Sequence, residues 1–507
     1  MGYAEKRNGY WRGRYKIGPG KYGTVKDDHG NTIRFRSRRD AEKAADDAEA
    51  KVRAEKYRDP AAGRITFGAF VGRWFATLDL AASSMQNYRH HIEEHLLPTF
   101  EPIAIADITD LDVAAWEKAE RAAGYAESSI RTWRSTLHLV LADAVEAGLR
   151  ESNPAARRRG RGKRAGRSHK RSPEKAVTTA LGVLLIAERA ALLSGRDDEF
   201  VAITLMGFTG MRWGEVVGLE PAYVRPAGVR VEWQLYELDS GELLRCPPKD
   251  DSRRTIVAPA WLTAMVSEHI ARTSPRACSC HGLAYVFRGY GAARGATGTG
   301  AKLADVARRA GVSTGTVSTC LNWPDSVADD TRARIDRAIA DLGYVRGAAS
   351  GPPAAHWRRN NFAGRLFQPA VTGRYPTRGR RVDTVVPILG SPWPGVPVRG
   401  RGAAVRADSC WTPVALGLTP HGLRHTYKTL MEELGTSHKF MDEQMGHEDG
   451  SVQARYSHVT AAMRDQLVTG LTRVWREALD ARMQFAARSP VATLDRLLAA
   501  RRTELSQ

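Results

Sequence analysis

Long hydrophobic runs are absent from this 507-residue sequence. It contains no stretch of about 18 apolar residues, which is the length that a membrane-spanning helix needs. The first residues, MGYAEKRNGYW, also lack the apolar core of a secretory signal peptide. We therefore expect a cytoplasmic protein that has no membrane partner.

Cysteine is scarce, and acidic residues are outnumbered by basic ones. The five cysteines are an odd number scattered over a long chain, which excludes a disulfide framework. The 76 lysines and arginines against 56 acidic residues give a formal net charge of +20. Because a cation beside a phosphate releases a condensed counterion, this excess favours a polyanionic partner. A membrane surface is disfavoured since no convincing lipid-anchoring pattern is found, and a merely solvated basic face stays open.

The chain is too long for one core, and residues 1–60 have the pattern of a first domain. Segments 9–17, 22–27 and 32–37 are predicted as short strands, and the helix-forming residues after Ser37 as a helix. The sheet either binds DNA or carries solvated charges, and the overall basicity favours DNA binding. The residues expected to face DNA are Arg12, Arg14, Lys16, Arg34 and Arg36.

The rest of the chain divides by composition and periodicity. Residues 65–152 repeat apolar positions at helical spacing, which predicts a bundle of about four helices. Residues 153–176 are rich in arginine and poor in apolar surface, which predicts a solvated linker, a strap along DNA, or both. A further domain with strands near 229–258 is expected over 177–475, followed by an amphipathic tail helix at 476–507.

A first motif with candidate chemistry is TGMRWGE, which contains Arg212 and Glu215. Phosphodiester transfer needs a nucleophile, cations around the non-bridging oxygens and an acid for the leaving oxygen. Arg212 can grip a phosphate with two donors at once, and Glu215, one turn later, can hold the guanidinium in place. In isolation the same pair is more typical of an ordinary ion pair at a helix start.

A second motif, LTPHGLRHTYKTLMEELG, has the pattern of a capped helix. Thr419 is predicted as the N-cap and Pro420 as the first helical residue, so His421 would lie at the positive helix end. His421 and Arg424 are three residues apart and project from one face, where they can hold a phosphate. Gly435 is predicted to end the helix.

A third motif, MGHEDGSVQARYSHV, places Tyr456 nine residues after His447. A free tyrosine has a pKa of about 10 and is a poor nucleophile at neutral pH. It becomes useful only where cations stabilise its developing phenolate. Without such cations, Tyr456 would be an ordinary surface residue.

Taken together and in this order, the three motifs resemble the catalytic boxes of the tyrosine recombinase (phage-type integrase) family. In that family a β-hairpin between the first two boxes carries a catalytic lysine, and PPKDDSRRTIV places Lys249 there, with Arg253 or Arg254 as alternatives. The resemblance implies a multidomain, mainly α fold. It would comprise a small N-terminal β-sheet with a helix for arm-type DNA, a helical-bundle core-binding domain and a mixed α+β catalytic domain.

The resemblance also implies the role of each residue. Tyr456 would attack the scissile phosphate and become a 3′-phosphotyrosine, while Lys249 protonates the departing 5′-oxygen. Arg212 and Arg424 would stabilise the phosphorane. His421 would assist as base and hydrogen-bond donor, His447 would hydrogen-bond the phosphate, and Glu215 would orient the site. The phosphotyrosine preserves the bond energy and the arginines neutralise charge, so neither a cofactor nor a metal is expected.

The implied function is site-specific recombination, the integration or excision of a mobile element. The implied partner is double-stranded DNA bound by a homotetramer, with room for an accessory DNA-bending or directionality protein. Two other functions stay open: a type IB topoisomerase-like enzyme that relaxes DNA, and a non-catalytic DNA-binding regulator. The multidomain layout favours recombination over the first, and the intact set of candidate residues argues against the second.

Residues 301–345 do not fit an integrase. Their apolar spacing, with Gly311 at the turn, predicts a helix–turn–helix, and they resemble the DNA-reading domain of the lactose-repressor family. The second helix would enter the major groove, and its candidate contacts are Ser313, Thr314, Thr316 and Ser318. Gly315 and Thr319 replace longer residues that could read a base edge, so the insert is either an extra DNA contact or a folded but inert graft.

One further cluster is the short run Cys278-Ser-Cys280-His281. Three ligands this close together, without a second pair, fall short of a structural zinc site. A loop with free thiols is therefore expected. Residues 371–412, rich in arginine, glycine and proline, are expected to form an exposed or partly disordered loop.

Overall fold

The chain forms two compact units, Met1–His169 and Lys170–Gln507. The boundary between the units falls inside the linker predicted at 153–176, whereas the finer domain limits stay predictions. The computed structural model describes residues 2–18, 20–27, 30–53, 62–156, 174–289, 303–322, 327–342, 356–376, 383–447 and 458–506. Among these residues, no helix is both long and apolar enough to cross a membrane.

The first unit begins with a three-stranded antiparallel sheet in the order β1-β2-β3. Its strands and the helix that packs on it are β1 (Tyr3–Arg7), β2 (Tyr10–Gly18), β3 (Lys21–Thr24) and α1 (Arg38–Arg53). The chain turns from β1 to β2 at Asn8-Gly9, both of which have positive φ. Asn-Gly is the residue pair that a tight hairpin turn favours.

One predicted strand of this sheet is wrong, and one observed strand was not predicted. Segment 32–37 is not a strand: it contributes a bridge from Phe35 to Trp11 and another from Thr32 to Lys26. Strand β1 was missed because YAEKR has no apolar alternation, and its pairing with β2 depends on the hairpin turn instead. The sequence Asp28-His29-Gly30-Asn31 is typical of a turn, and its first two residues lie outside the described residues.

The rest of the first unit is the predicted helical bundle. Its helices are α2 (Phe67–Ala76), α3 (Ala82–His90), α4 (Leu97–Phe100), α5 (Asp110–Ala122) and α6 (Glu127–Glu146), with a π-helical turn at His91–Leu96. A capping box between Thr109 and Asp112 begins α5. The apolar stripes predicted from the sequence form one core, in which Phe67, Leu96 and Trp116 are buried.

The second unit is built around two almost fully buried helices, α7 (Ala180–Ser194) and α8 (Asp198–Thr209). A short helix, a set of strands and a longer helix follow: α9 (Trp213–Val217), β4 (Val224–Arg225), β5 (Gly228–Val231), β6 (Gln234–Glu237), β7 (Leu243–Cys246), β8 (Arg254–Val257) and α10 (Ala260–Thr273). The sheet order is β4-β5-β8, with β6 and β7 as a separate hairpin. The strands predicted near 229–258 are therefore confirmed.

The insert folds as three helices with a core of its own. They are α11 (Leu303–Ala310), α12 (Thr314–Asn322) and α13 (Asp329–Leu342). Val306, Val317 and Ile335 are completely buried in this core. Gly311 has a φ of +65° at the turn, and Ser313 caps α12 by accepting a hydrogen bond from the Thr316 backbone N–H at 3.0 Å. The predicted helix–turn–helix is confirmed.

The chain then forms short elements before three longer helices. The short elements are α14 (Arg359–Phe362), a π-helical turn (Ala363–Phe367), α15 (Gln368–Thr372), β9 (Arg374–Tyr375), β10 (Thr384–Val385), β11 (Pro387–Leu389), β12 (Val396–Pro397), α16 (Ala403–Arg406) and β13 (Ser409–Cys410). The expectation of an exposed or partly disordered loop at 371–412 is corrected in part, because much of its described chain is exposed but forms short strands with a small core. Val386, Ile388 and Trp411 bury their side chains together there.

The remaining helices are α17 (Gly422–Glu433), α18 (His438–Met445), α19 (Ala461–Met483) and α20 (Ala492–Ser506). Helix α19 runs through the predicted domain limit at 475. The tail helix α20 packs on its own unit, since Leu494 and Leu498 are buried in the main core. Arg482 and Glu188, both fully buried, join α19 to α7 through a two-pronged ion pair. The predicted fold class, multidomain and mainly α with small sheets, is confirmed.

Candidate active site

Arg212 lies where the buried helix α8 stops. Gly210 adopts a left-handed conformation that ends α8, and Arg212 then serves as the N-cap residue of α9. The Arg212 backbone N–H donates to Glu215 Oε2 at 2.8 Å, and its Nη1 donates to Glu215 Oε1 at 2.9 Å. Nη1 also donates to Ser252 Oγ at 3.1 Å. Both ends of Arg212 are thus held by one carboxylate, as predicted for Glu215.

Glu215 holds a second arginine as well. Arg254 Nη1 and Nη2 donate to the two Glu215 oxygens at 3.0 and 2.9 Å, and Arg254 Nε donates to the Gln444 carbonyl at 2.9 Å. The Glu215 side chain is fully buried, which by itself would raise its pKa. The hydrogen bonds and charge of Arg254, together with Arg212, outweigh burial and leave the Glu215 pKa lowered. Glu215 therefore stays ionised and fixes two guanidinium groups.

Arg424 connects the three motifs through a single side chain. Its Nη1 donates to the Gly210 carbonyl of the first motif at 2.7 Å, and its Nη2 donates to the Met445 carbonyl of the third. Nη2 also lies 3.1 Å from His447 Nε2. Burial, together with the charges of Arg212 and Arg254, lowers the pKa of Arg424 to about 9. The three sequence motifs, far apart along the chain, therefore converge here.

His421 is the N-cap residue of α17, which begins at Gly422. The prediction that Thr419 caps the helix and Pro420 begins it is corrected by two residues. Thr419 Oγ1 accepts from the Gly422 N–H at 3.1 Å, so it closes the preceding turn instead. Partial burial, the neighbouring His425 and the charge of Arg424 lower the pKa of His421 to about 4. The imidazole is therefore neutral near pH 7, and one of its ring nitrogens is a hydrogen-bond acceptor.

His447 follows the end of α18 and is exposed on one side. Its Nδ1 lies 3.7 Å from an oxygen of Asp442, and its Nε2 faces Arg424. Partial burial and the charges of Arg424 and Arg212 lower the pKa of His447. A neutral His447 next to a cation can hydrogen-bond an incoming phosphate oxygen after a small rearrangement.

Two predicted site residues are not brought into this cluster by the described contacts. Lys249 is exposed in a tight turn between β7 and β8 and lies three residues before Ser252. Strands β7 and β8 pair with β6 and β5, and not with each other as the predicted hairpin would require. Tyr456 belongs to residues 448–457, which lie outside the described residues. Their catalytic roles stay predictions.

Arg254 is the residue that sequence reasoning missed. It was considered only as a substitute for Lys249, yet it is buried and joins Glu215 to the Gln444 carbonyl. The only local sign was the pair of arginines at 253–254. Its partners lie 39 and 190 residues away, so their proximity depends on tertiary packing.

The five N-terminal candidates share one side of the first sheet. In β2, Gly13 and Tyr15 are buried, whereas Arg12, Arg14 and Lys16 alternate with them and point the opposite way. By the same alternation, the pairing of Phe35 with Trp11 places Arg34 and Arg36 on the side of Arg12. The exposed Tyr3 and Tyr22 lie on that side too, paired with Arg14 and Lys16. Arg12 already forms a two-pronged ion pair with Glu5, which reduces its free charge.

The candidate contacts of the insert lie on or beside the exposed start of α12. Thr314 is exposed, whereas Ser313 uses its oxygen as the helix cap and lies 2.8 Å from the Thr316 hydroxyl. The side chain of Ser318 lies outside the described residues. None of these observations tests a contact with DNA.

Two family models match the chain. Residues 66–119 match the phage integrase N-terminal SAM-like domain, and residues 302–347 match the lacI family of bacterial regulatory proteins. The first match falls on the helical bundle and the second on the insert. Both agree with the resemblances drawn from the motifs.

Curated relatives of this chain are named integrases, as is the first of these families. The integrase of Mycobacterium phage D29 is 24% identical over 224 residues, covering 43% of this chain and 55% of that protein. The putative prophage phiRv2 integrase of Mycobacterium tuberculosis is 24% identical over 244 residues, covering 46% of this chain and 61% of that protein. The match thus spans little more than half the length of these relatives.

Solved structures with a looser likeness are integrases bound to DNA. The Tn1549 transposon integrase in complex with a circular intermediate DNA superposes with a TM-score of 0.45 at 13% identity, covering 80% of this chain and 98% of that chain. A lambda integrase dimer bound to a COC′ core site gives a TM-score of 0.38 at 16% identity, covering 90% and 97%.

Proposed function

We propose that this chain, which is related to phage integrases and carries a lacI-type helix–turn–helix, is a site-specific DNA recombinase. It cleaves and rejoins double-stranded DNA through a 3′-phosphotyrosine at Tyr456, in the integration or excision of a mobile element. The substrate is DNA in the cytoplasm. A homotetramer on the DNA and an accessory DNA-bending or directionality protein belong to the same proposal.

The observation that supports this function best is the convergence around Arg424. A buried guanidinium that contacts carbonyls of two motifs, faces His447 and lies near Arg212 forms a concentrated positive site. The negative charge of a bound phosphate is what such a positive site would stabilise. Preorganised cations stabilise the charge of a pentacoordinate phosphorane better than mobile water does, because they need no reorganisation as the charge develops.

The remaining steps of the proposal assign a proton transfer to each of His421 and Lys249. The neutral His421 accepts the phenol proton as Tyr456 attacks the phosphorus, and the 5′-oxygen leaves as the phosphotyrosine forms. Lys249 supplies the proton to that oxygen. Rejoining reverses these transfers when a 5′-hydroxyl attacks the phosphotyrosine, so that the bond energy is kept throughout.

The test is covalent capture on a nicked suicide duplex, from which the short fragment that bears the new 5′-hydroxyl diffuses away after cleavage. We expect the wild-type chain to form a complex that survives denaturation, and Tyr456→Phe to form none while still binding the duplex. Tyr236→Phe, at a half-exposed strand position, is the matched control and should capture as well as wild type. Binding without capture by the wild-type chain would contradict the proposal and favour a non-catalytic regulator.

A second assay separates recombination from relaxation. Two duplexes with distinguishable ends are incubated with the protein, and a supercoiled plasmid is treated in parallel. Exchange of ends between duplexes supports recombination. Relaxation of the plasmid without exchange would favour a topoisomerase-like activity instead.

The insert gives the proposal a second DNA contact. Its core is complete, and α12 begins with exposed hydroxyl residues at the position where a helix–turn–helix contacts a groove. We assign it a role in the choice or placement of the target. Ser313, Thr314, Thr316 and Ser318 are the proposed contacts.

A further inference from the structure

A tight hairpin before the insert brings three soft ligands to one side. The backbone N–H of Cys278 donates to the Leu283 carbonyl at 2.9 Å, and Gly282, with a φ of +67°, closes the turn. In this hairpin Cys278 Sγ and Cys280 Sγ lie 3.3 Å apart, and His281 Nδ1 lies 3.6 and 3.3 Å from them. The three groups that the sequence places in a row therefore converge on one point.

A fourth ligand comes from the far side of the insert. His356 Nε2 lies 3.2 Å from Cys280 Sγ, although the two residues are 76 positions apart. The four ligand atoms of Cys278, Cys280, His281 and His356 all lie within 4.8 Å of one another. The fold thus supplies the fourth ligand of a zinc site, which the sequence around Cys278-Ser-Cys280-His281 lacks.

The hydrogen bonds around His281 favour a metal ligand. Its Nε2 lies 2.8 Å from the Leu243 carbonyl, and since a carbonyl only accepts, Nε2 carries the proton. The lone pair of Nδ1 then points to the two sulfurs. Ligating histidines are commonly fixed by a carbonyl in this way. The His281 backbone N–H also donates to Cys278 Sγ at 3.3 Å, which stabilises a thiolate.

We propose that Cys278, Cys280, His281 and His356 bind one Zn²⁺ ion. Zinc prefers four thiolate and imidazole ligands in a tetrahedron, with Zn–S near 2.3 Å and Zn–N near 2.0–2.1 Å, so its ligand atoms lie roughly 3.3–3.8 Å apart. The separations of 3.2–3.6 Å along the cluster are close to that spacing. Two sulfurs and two imidazoles also select zinc over magnesium or calcium, which take oxygen ligands.

The position of the cluster indicates what the ion does. The hairpin precedes the insert and His356 follows it, so the metal ties together the two chain ends between which α11, α12 and α13 are inserted. Closing this long loop reduces the conformational freedom of the unfolded chain and fixes the two ends of the insert to the rest of the second unit. The ion is structural, because its four protein ligands leave no open position for a substrate.

Metal content of the full-length protein tests the proposal directly. After expression in zinc-supplemented medium and desalting, elemental analysis should find about one zinc per chain, as a closed four-ligand site predicts. The double variant Cys280→Ser, His356→Ala should lose it. Cys410→Ser, another exposed cysteine, is the matched control and should keep it. A wild-type chain without zinc, or a double variant with wild-type zinc content, would overturn the proposal.

Cobalt substitution and thiol reactivity give readouts that do not depend on the folding of a variant. The chelator-treated wild-type chain should bind Co²⁺ with the visible absorption of a tetrahedral thiolate complex, and added zinc should abolish that absorption. Zinc should also protect two thiols from alkylation. If Cys278 and Cys280 are alkylated equally fast with and without zinc, the cluster is an ordinary pair of free thiols.

Discussion

At the scale of single residues, the site depends on how buried charges are paired. Glu215 is buried between two arginines and neutralises part of their charge, while Arg424 makes its contacts through carbonyls and His447. An uncompensated charge in such a place is costly, whereas an exposed ion pair contributes little. Substitution of a charged residue should therefore lower the free energy of unfolding much more at a buried position than at an exposed one.

We predict that Glu215→Gln lowers the free energy of unfolding by about 3–5 kcal/mol, because Arg212 and Arg254 lose their shared carboxylate in a buried place. Urea denaturation measures the change. Glu232→Gln is the control, since Glu232 also bridges two arginines but is partly exposed, and it should cost about 0–1 kcal/mol. Equal losses in both variants would contradict the burial argument.

His421 should make stability depend on pH with a definite sign. Its folded-state pKa of about 4 lies below the unfolded value of about 6.5, so the folded chain binds fewer protons. The stability that depends on a neutral His421 is present above about pH 6.5 and is lost as the pH falls toward 4. In urea denaturation at pH 7 and pH 5, His421→Asn should lose less stability than wild type on acidification.

The control for this titration is His438→Asn, which removes an exposed histidine at the start of α18. It should lose as much stability as wild type between the two pH values. A His421→Asn chain that behaves like this control would show that the imidazole of His421 is not held neutral by its surroundings.

At the scale of elements, the insert and the host fold are separable. Helices α11–α13 share a core of their own, while Cys280 and His356 bring the flanking segments within 3.2 Å. A host loop with ends this close tolerates a long insertion, because loop-closure entropy grows slowly with length. The host chemistry should therefore not require the insert.

We predict that replacing residues 290–355 by a short Gly-Ser linker leaves the rate of covalent capture little changed. Affinity for DNA should fall by roughly tenfold, which corresponds to a contact worth about 1.4 kcal/mol. Capture on the suicide duplex and equilibrium binding measure the two effects. Unchanged affinity and unchanged target choice would identify the insert as an inert graft.

At the scale of the whole molecule, a net charge of +20 would strengthen the proposed binding to DNA. Each cation that neutralises a phosphate adds about 0.9 to the steepness with which log K falls against log salt. The arginine-rich segment at 153–176 is a large local source of this charge. Substituting arginines in this segment measures how many phosphates it neutralises.

We predict that the double variant Arg158→Gln, Arg161→Gln makes that salt dependence shallower by about 1.8, because both residues would neutralise phosphates. Fluorescence anisotropy over a salt series measures the slope. Arg473→Gln, Arg476→Gln removes the same charge from exposed ion pairs on α19 and should leave the slope unchanged. Equal slopes in the two variants would mean that the linker does not lie along DNA.

The amino-acid sequence alone determined the helical bundle, the helix–turn–helix and the three motifs. These features depend on residue spacing, caps and turns within one segment, and local order of that kind can be read before folding. Errors arose where a segment depended on its neighbours, as in strand β1 and in the buried part of 371–412.

Only the tertiary structure decided which distant groups meet. The pairing of Arg254 with Glu215, the contacts of Arg424 and the approach of His356 to Cys280 join residues from 21 to 214 positions apart. No local pattern encodes such proximity, because it arises from the packing of whole helices and strands around a shared core.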